Sequence, residues 1–137
     1  MQTATFPGRY ENLQKIGEWV EKAAIEAGLD DSAVYAVQLA VDEAATNIIE
    51  HAYGAEGVGD IHCTAEITDH GLTVTLRDNG RPFQPEEVPA PNLNRPIEEI
   101  EPHGLGLFLM RKMMDEVDFE FTAQGNVLKM TKRRGSR

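Results

Sequence analysis

Glu43, Asn47 and His51 stand four residues apart within Val34–Ala52, a stretch that is otherwise mostly apolar. If the stretch is helical, the three share one face, each a turn above the last. Val37, Val41, Ala44, Ala45, Ile48 and Ile49 spread around the rest of the circumference, the pattern of a core helix. A carboxylate and an amide are expensive to bury there unless each finds a partner, so a line of them points to a ligand site in the core wall. The plainer alternative is that each is a satisfied structural group, with Asp42, Thr46 and Glu50 as the helix's exposed strip and His51 structural. Two further motifs carry chemistry. In Arg77-Asp78-Asn79-Gly80, an Asp at a strand end can accept from an exocyclic amine, and a glycine two residues on lets a flat ring approach the backbone; the same residues also make an ordinary turn. In His103-Gly104-Leu105-Gly106, two glycines before a helix leave N–H groups pointing at one spot, where the helix dipole favours an anion. Leu109 at the third glycine position excludes the dinucleotide fingerprint, and neither a Walker A sequence nor the protein-kinase catalytic and metal-binding loops are present.

The elements that must position these groups follow from periodicity and punctuation. A short strand is predicted over Thr3–Phe6 and a helix over Arg9–Ala27, with Leu13, Ile16, Trp19, Val20, Ala23 and Ala24 as its apolar face and Gly28 as its stop. Asp30, Asp31 and Ser32 offer N-caps for the second helix, extended to Ala52. Ile61–Thr68 and Leu72–Arg77 form a hairpin around Asp69-His70-Gly71. A third helix fits Leu105–Met114, and Val117–Thr122 pairs with Val127–Thr131 around Gln124-Gly125-Asn126. The order α, α, β, β, loop, α, β, β predicts one α+β domain over residues 1–137, a two-layer sandwich of a mostly antiparallel sheet with helices on one face. The loop Arg81–His103 holds six of the seven prolines, and at this length it reads as a mobile lid or a disordered insertion.

Composition narrows the class. At 137 residues, 41% apolar and 26% charged, the chain is an ordinary globular domain with no 18-residue apolar run, and no membrane span is expected. A net charge of −10 argues against general nucleic-acid binding. Five basic residues and no acid follow from Lys129, a tail expected to be frayed and solvated. Cys63, the single cysteine, points to a reducing, cytoplasmic compartment.

Glu43-x-x-x-Asn47, Asp78-x-Gly80 and Gly104-x-Gly106, in this order and spacing, resemble the asparagine box and the two glycine boxes of the GHKL ATPase superfamily. Glu43-Ala-Ala-Thr-Asn47-Ile-Ile-Glu-His51-Ala-Tyr53, Gly104-Leu-Gly-Leu-Phe-Leu-Met and Met114-Asp-Glu-Val117 are most similar to the anti-sigma-factor serine/threonine kinases of bacterial partner switching. The resemblance, covering Arg9–Lys132, implies a histidine-kinase-like (Bergerat) ATP-binding domain that uses ATP and Mg²⁺. Asn47 would ligate Mg²⁺, Asp78 would accept from the adenine amine with Gly80 beneath the ring, Gly104 and Gly106 would cradle phosphates, and Glu43 would be the catalytic base. The implied partners are a sigma factor, a small antagonist protein as phosphorylation substrate, and a second copy of the chain. The homodimer is also expected from an exposed apolar remainder around Trp19. His103 departs from the small residue usual before the first glycine. A non-catalytic, nucleotide-gated binding module and an ATP domain serving a separate phosphoacceptor chain are the alternatives.

Overall fold

The computed structural model describes residues 1–82 and 102–135. The lid expected over Arg81–His103 therefore lies mostly outside the described residues. Five strands form one antiparallel sheet in the order β1-β2-β3-β5-β4: β1 Gln2–Pro7, β2 Asp60–Ile67, β3 Gly71–Asp78, β4 Glu116–Thr122 and β5 Gly125–Arg133. Among the described residues three helices, α1 Leu13–Glu26, α2 Asp31–Asn47 and α3 Pro102–Met113, form the second layer. Strand alternation decides which side they cover. Ile61, Cys63 and Ala65 of β2, Leu72, Val74 and Leu76 of β3, and Leu128 and Met130 of β5 are all buried, and they meet Ile16, Val20, Val37, Val41 and Ile49 of the helical layer in a single core. The predicted α+β two-layer sandwich is the architecture observed.

Local chemistry sets the ends of the helices. A one-turn 3-10 segment, Tyr10–Asn12, precedes α1. At its other end Gly28, at φ 80°, lets its own N–H reach the Ile25 carbonyl and the Leu29 N–H reach that of Ala24, a Schellman stop. The Asp30 side chain accepts from the Ala33 N–H at 2.8 Å and caps α2. Trp19 is half-buried against the core, and the large apolar residue of α1 that stays exposed is Ile25.

Two other expectations are corrected. The second helix does not run regularly to Ala52: after Asn47 it widens into a π turn, Ile48–Tyr53, closed by Gly54 at φ 82°. The basic tail is not frayed over its described part. Lys129–Arg133 belong to β5, Lys132 is buried with its Nζ donating to the Met113 carbonyl at the end of α3, and the Arg134 guanidinium donates to the carbonyls of Ala27, Thr68 and Asp69. Carbonyls left over at the ends of α1 and α3, together with those of the turn between β2 and β3, attract these cations, and this outweighs solvation of the side chains. Among the described residues no helix is long and apolar enough to cross a membrane.

Candidate active site

A cavity lies between the end of α2 and the edge of the sheet formed by β4 and β5. Ala44, Ile48, Met110, Phe119 and Leu128 give it apolar walls, and Asn47, Asp78 and Asn126 supply polar groups. An apolar slot with a few convergent polar groups suits a flat heterocycle.

Asp78 is the last residue of β3 and is 3% exposed. The strand register places it directly opposite Asn126 of β5. Its Oδ1 accepts from the Gly80 N–H at 2.8 Å and from the Asn126 amide nitrogen at 2.9 Å. Both bonds fall on one oxygen, leaving Oδ2 to accept from a ligand. Burial pushes the Asp78 carboxyl above its ordinary range, and the bonds from Asn126 and Gly80 pull it back.

Gly80 stands directly against the π turn. A Cβ there would lie 2.4 Å from the Ala52 carbonyl oxygen, so the glycine lets the loop after β3 press against the π turn. Arg81 secures that contact: its N–H donates to the Ala52 carbonyl at 2.8 Å and its Nη2 to the His51 carbonyl at 2.8 Å. The Tyr53 hydroxyl joins the same junction, donating to the Asp60 carbonyl at 2.5 Å and accepting from the Asn79 N–H at 3.0 Å. Its ring occupies the space that a Cβ on Gly59 would take.

Asn47 and Glu43 lie a turn apart on α2, as predicted, and both are half-buried. His51 does not continue their line. The π turn is wider than an α turn, four-residue spacing no longer stacks within it, and His51 is exposed. Burial, and secondarily the charges of Asp42 and Glu50, raise the Glu43 carboxyl above its ordinary value, which makes it a stronger base. Facing Glu43 is Gly106, where a Cβ would stand 2.5 Å from the carboxylate Oε2. Gly104 and Gly106 do not precede α3; they lie in its opening turns, because Pro102 begins the helix earlier than predicted. Gly104 stays within the first four residues, whose N–H groups have no partner inside the helix, while Gly106 falls just beyond them.

Asn47 offers a neutral hard oxygen at the cavity wall, and no group of three or more His, Cys, Asp or Glu able to hold a metal occurs among the described residues. This donor set fits an ion that keeps most of its water and phosphate ligands, as Mg²⁺ does. Asn126 and Tyr53 were not singled out from sequence. Asn126 could have been found by parity: Asn126, Leu128, Met130 and Lys132 form the buried row of β5, so a polar residue there faces the core.

Comparison with known proteins adds an independent line. Residues 6–132 match the family described as histidine kinase-like ATPase domain. The chain is 29% identical over 113 residues to the serine/threonine-protein kinase BtrW of Bordetella bronchiseptica, covering 82% of this chain and 80% of that one. It is 33% identical over 100 residues to the serine-protein kinase RsbW of Bacillus mycoides, covering 70% of this chain and 61% of that relative's length. In fold it is similar to the crystal structure of the RsbU and RsbW domains of a Mycobacterium tuberculosis protein, with TM-score 0.67 and 17% identity over 97% of this chain and 32% of that one. It is also similar to the catalytic domain of histidine kinase ThkA, with TM-score 0.57 and 18% identity over 98% of each chain.

Proposed function

The chain belongs to the histidine kinase-like ATPase domain family, and from that premise we propose that it is an ATP-dependent serine/threonine protein kinase of a partner-switching system. Its substrate is a small antagonist protein, it holds a sigma factor as an anti-sigma factor, and it works as a homodimer. The names of its RsbW and BtrW relatives support the kinase reading. The observation that carries it is the buried Asp78 carboxylate, bonded through Oδ1 alone and bordering the same cavity as Asn47, one turn from Glu43.

In this reading Asp78 Oδ2 accepts from the exocyclic amine of adenine, and the apolar walls hold the ring. Asn47 lends its amide oxygen to Mg²⁺, which when bound neutralises phosphate charge. Gly104 at the opening of α3 offers a donor to the phosphates. Gly80 and Gly106 let the surrounding backbone and helices close around the ligand. Glu43 takes the proton of the substrate hydroxyl as its oxygen bonds to the γ-phosphorus and the bond to the ADP oxygen breaks.

The test uses the full chain, Mg²⁺–ATP and an antagonist identified by copurification. Calorimetry is expected to show binding, and mass spectrometry to show a phosphorylated serine or threonine on the antagonist. Absence of ATP binding sinks the whole reading. ATP binding without phosphate transfer leaves a nucleotide-gated binding module.

A further inference from the structure

Asn126 is given no role of its own in the reading above, yet with the Gly80 N–H it holds the Asp78 carboxylate. Its side chain is 8% exposed. Its single amide nitrogen donates twice, to Asp78 Oδ1 at 2.9 Å and to the Arg81 carbonyl at 2.6 Å. Register brings it there: Asp78 and Asn126 are cross-strand partners, and Phe121 flanks Asn126 on the β4 side. A carboxylate rotates freely about its last bond unless something fixes it. Here the Gly80 N–H and the Asn126 amide converge on the same oxygen.

We propose that Asn126 is a positioning residue for base recognition, holding the Asp78 carboxylate by Oδ1 so that Oδ2 is the atom presented to a purine amine. The inference rests on the reading of Asp78 as the adenine acceptor. The second bond, to Arg81, ties the amide to the backbone that Arg81 docks on the π turn, so the amide is itself fixed. Among the described residues, the other titratable or charged groups around Asp78 are Tyr53 from the π turn, Arg81 from the loop and Glu120 of β4, which borders the cavity. None of them hydrogen-bonds the carboxylate: Tyr53 is committed to Asp60 and Asn79, and the Arg81 guanidinium to His51. Asn126 and the Gly80 N–H are thus what favour the charged, accepting form against the cost of burial.

The experiment measures the dissociation constant of Mg²⁺–ATP between pH 5.5 and 8.5 for the wild type, Asn126→Ala, Asn126→Asp and Asn126→Thr, alongside phosphorylation at saturating ATP. Asn126→Ala is expected to weaken binding roughly tenfold at neutral pH, the scale of one hydrogen bond to a charged group. Its affinity should begin to fall at a higher pH than that of the wild type, because the donor favouring the carboxylate is gone. Asn126→Asp, which sets a second carboxylate against the first, should be worse. Asn126→Thr, which restores a donor, should recover part of the affinity and return the pH profile toward the wild type. The rate at saturating ATP should stay near the wild type, since chemistry lies at the other end of the site. Should Asn126→Ala not fold, the Thr and Asp variants carry the same comparison. A pH profile that is unchanged across the folded variants, with only the melting temperature lowered, overturns the inference and leaves the Asp78 reading intact. A wild type whose affinity is insensitive to Asp78→Asn overturns that reading, and the inference with it.

Discussion

The two parts of the proposed site, the base end around Asp78 and the transfer end around Glu43 and Asn47, are built differently. At the base end, strand register sets the partners: Asp78, Asn126, Gly80 and Arg81 are joined by short hydrogen bonds, and the key carboxylate is almost wholly buried. At the transfer end, Glu43 and Asn47 project from a helix, are half-buried, and the Glu43 carboxylate accepts no hydrogen bond among the described residues. Two donors on Oδ1 fix the orientation of the Asp78 carboxylate, whereas the Glu43 carboxylate has no such donor among those residues to fix it. In the proposed reading, the base end is therefore organised before nucleotide arrives, and Glu43 takes its final geometry from ligand and substrate. Both carboxylates are raised chiefly by burial, but only that of Asp78 is drawn back by donors.

The sharpest way to break this comparison is to remove one carboxylate at a time. Glu43→Gln keeps the shape and removes the base. Phosphorylation of the antagonist should fall on the order of 10²-fold or more, with Mg²⁺–ATP affinity nearly unchanged. In the wild type the rate should fall as pH drops through the raised Glu43 value, and a wild-type rate in the Gln variant rules out the base. Asp78→Asn should act on the opposite quantities, weakening ATP binding by roughly 10- to 100-fold, as expected for losing a hydrogen bond to a charged acceptor. It should also stabilise the ligand-free domain at neutral pH. The folded-state value of Asp78 lies above its unfolded one, so its contribution to stability is full at acid pH and is lost as pH rises through the folded value. The Asn variant, which never ionises, escapes that loss. A melting temperature for Asp78→Asn below the wild type at pH 7 would contradict the sign.

How far the sequence reveals each end differs for the same reason. The helical stripe was legible because an α-helix converts four-residue spacing into one face, and Glu43 and Asn47 do share it. It failed at His51, where the π turn changes the period without an obvious mark in the residues. The sandwich and every strand of both hairpins followed from alternation and turn residues, with no end displaced by more than two positions. What alternation alone could not supply was which strand neighbours which. The pairing of β3 with β5 joins Asp78 to Asn126 across 48 residues of chain, and Asn126 therefore read as a turn residue. The anchoring of Lys132 and Arg134 on helix-end carbonyls was hidden likewise.

The smaller predicted effects come from two glycines, one at each end. At Gly80 the atom facing an added Cβ is a backbone carbonyl at 2.4 Å, belonging to a turn that Arg81 and Tyr53 already hold. Neither side can yield cheaply, so Gly80→Ala should destabilise the domain by about 1–3 kcal/mol, the usual range for overpacking, and weaken ATP binding with it. Thermal unfolding without nucleotide reads the first effect and calorimetry the second. An unchanged melting temperature would mean that the docked loop is not rigid.

At Gly106 the obstructing atom is instead the far end of the flexible Glu43 side chain, 2.5 Å from an added Cβ. Glu43 can swing away at little cost, and an alanine inside a helix is favoured over glycine by up to about 1 kcal/mol. Gly106→Ala is therefore expected to leave the melting temperature unchanged or slightly raised, with ATP affinity near the wild type. Phosphorylation should fall several-fold, because a displaced base loses the geometry that proton transfer requires. Combining it with Glu43→Gln should add little further loss, since both act through one carboxylate. If Gly106→Ala instead lowers stability as Gly80→Ala does, the transfer end is as tightly packed as the base end and the contrast between them disappears. If the alanine variant is stable and fully active, Glu43 has room to work from a second position, and the close approach of α3 serves packing alone.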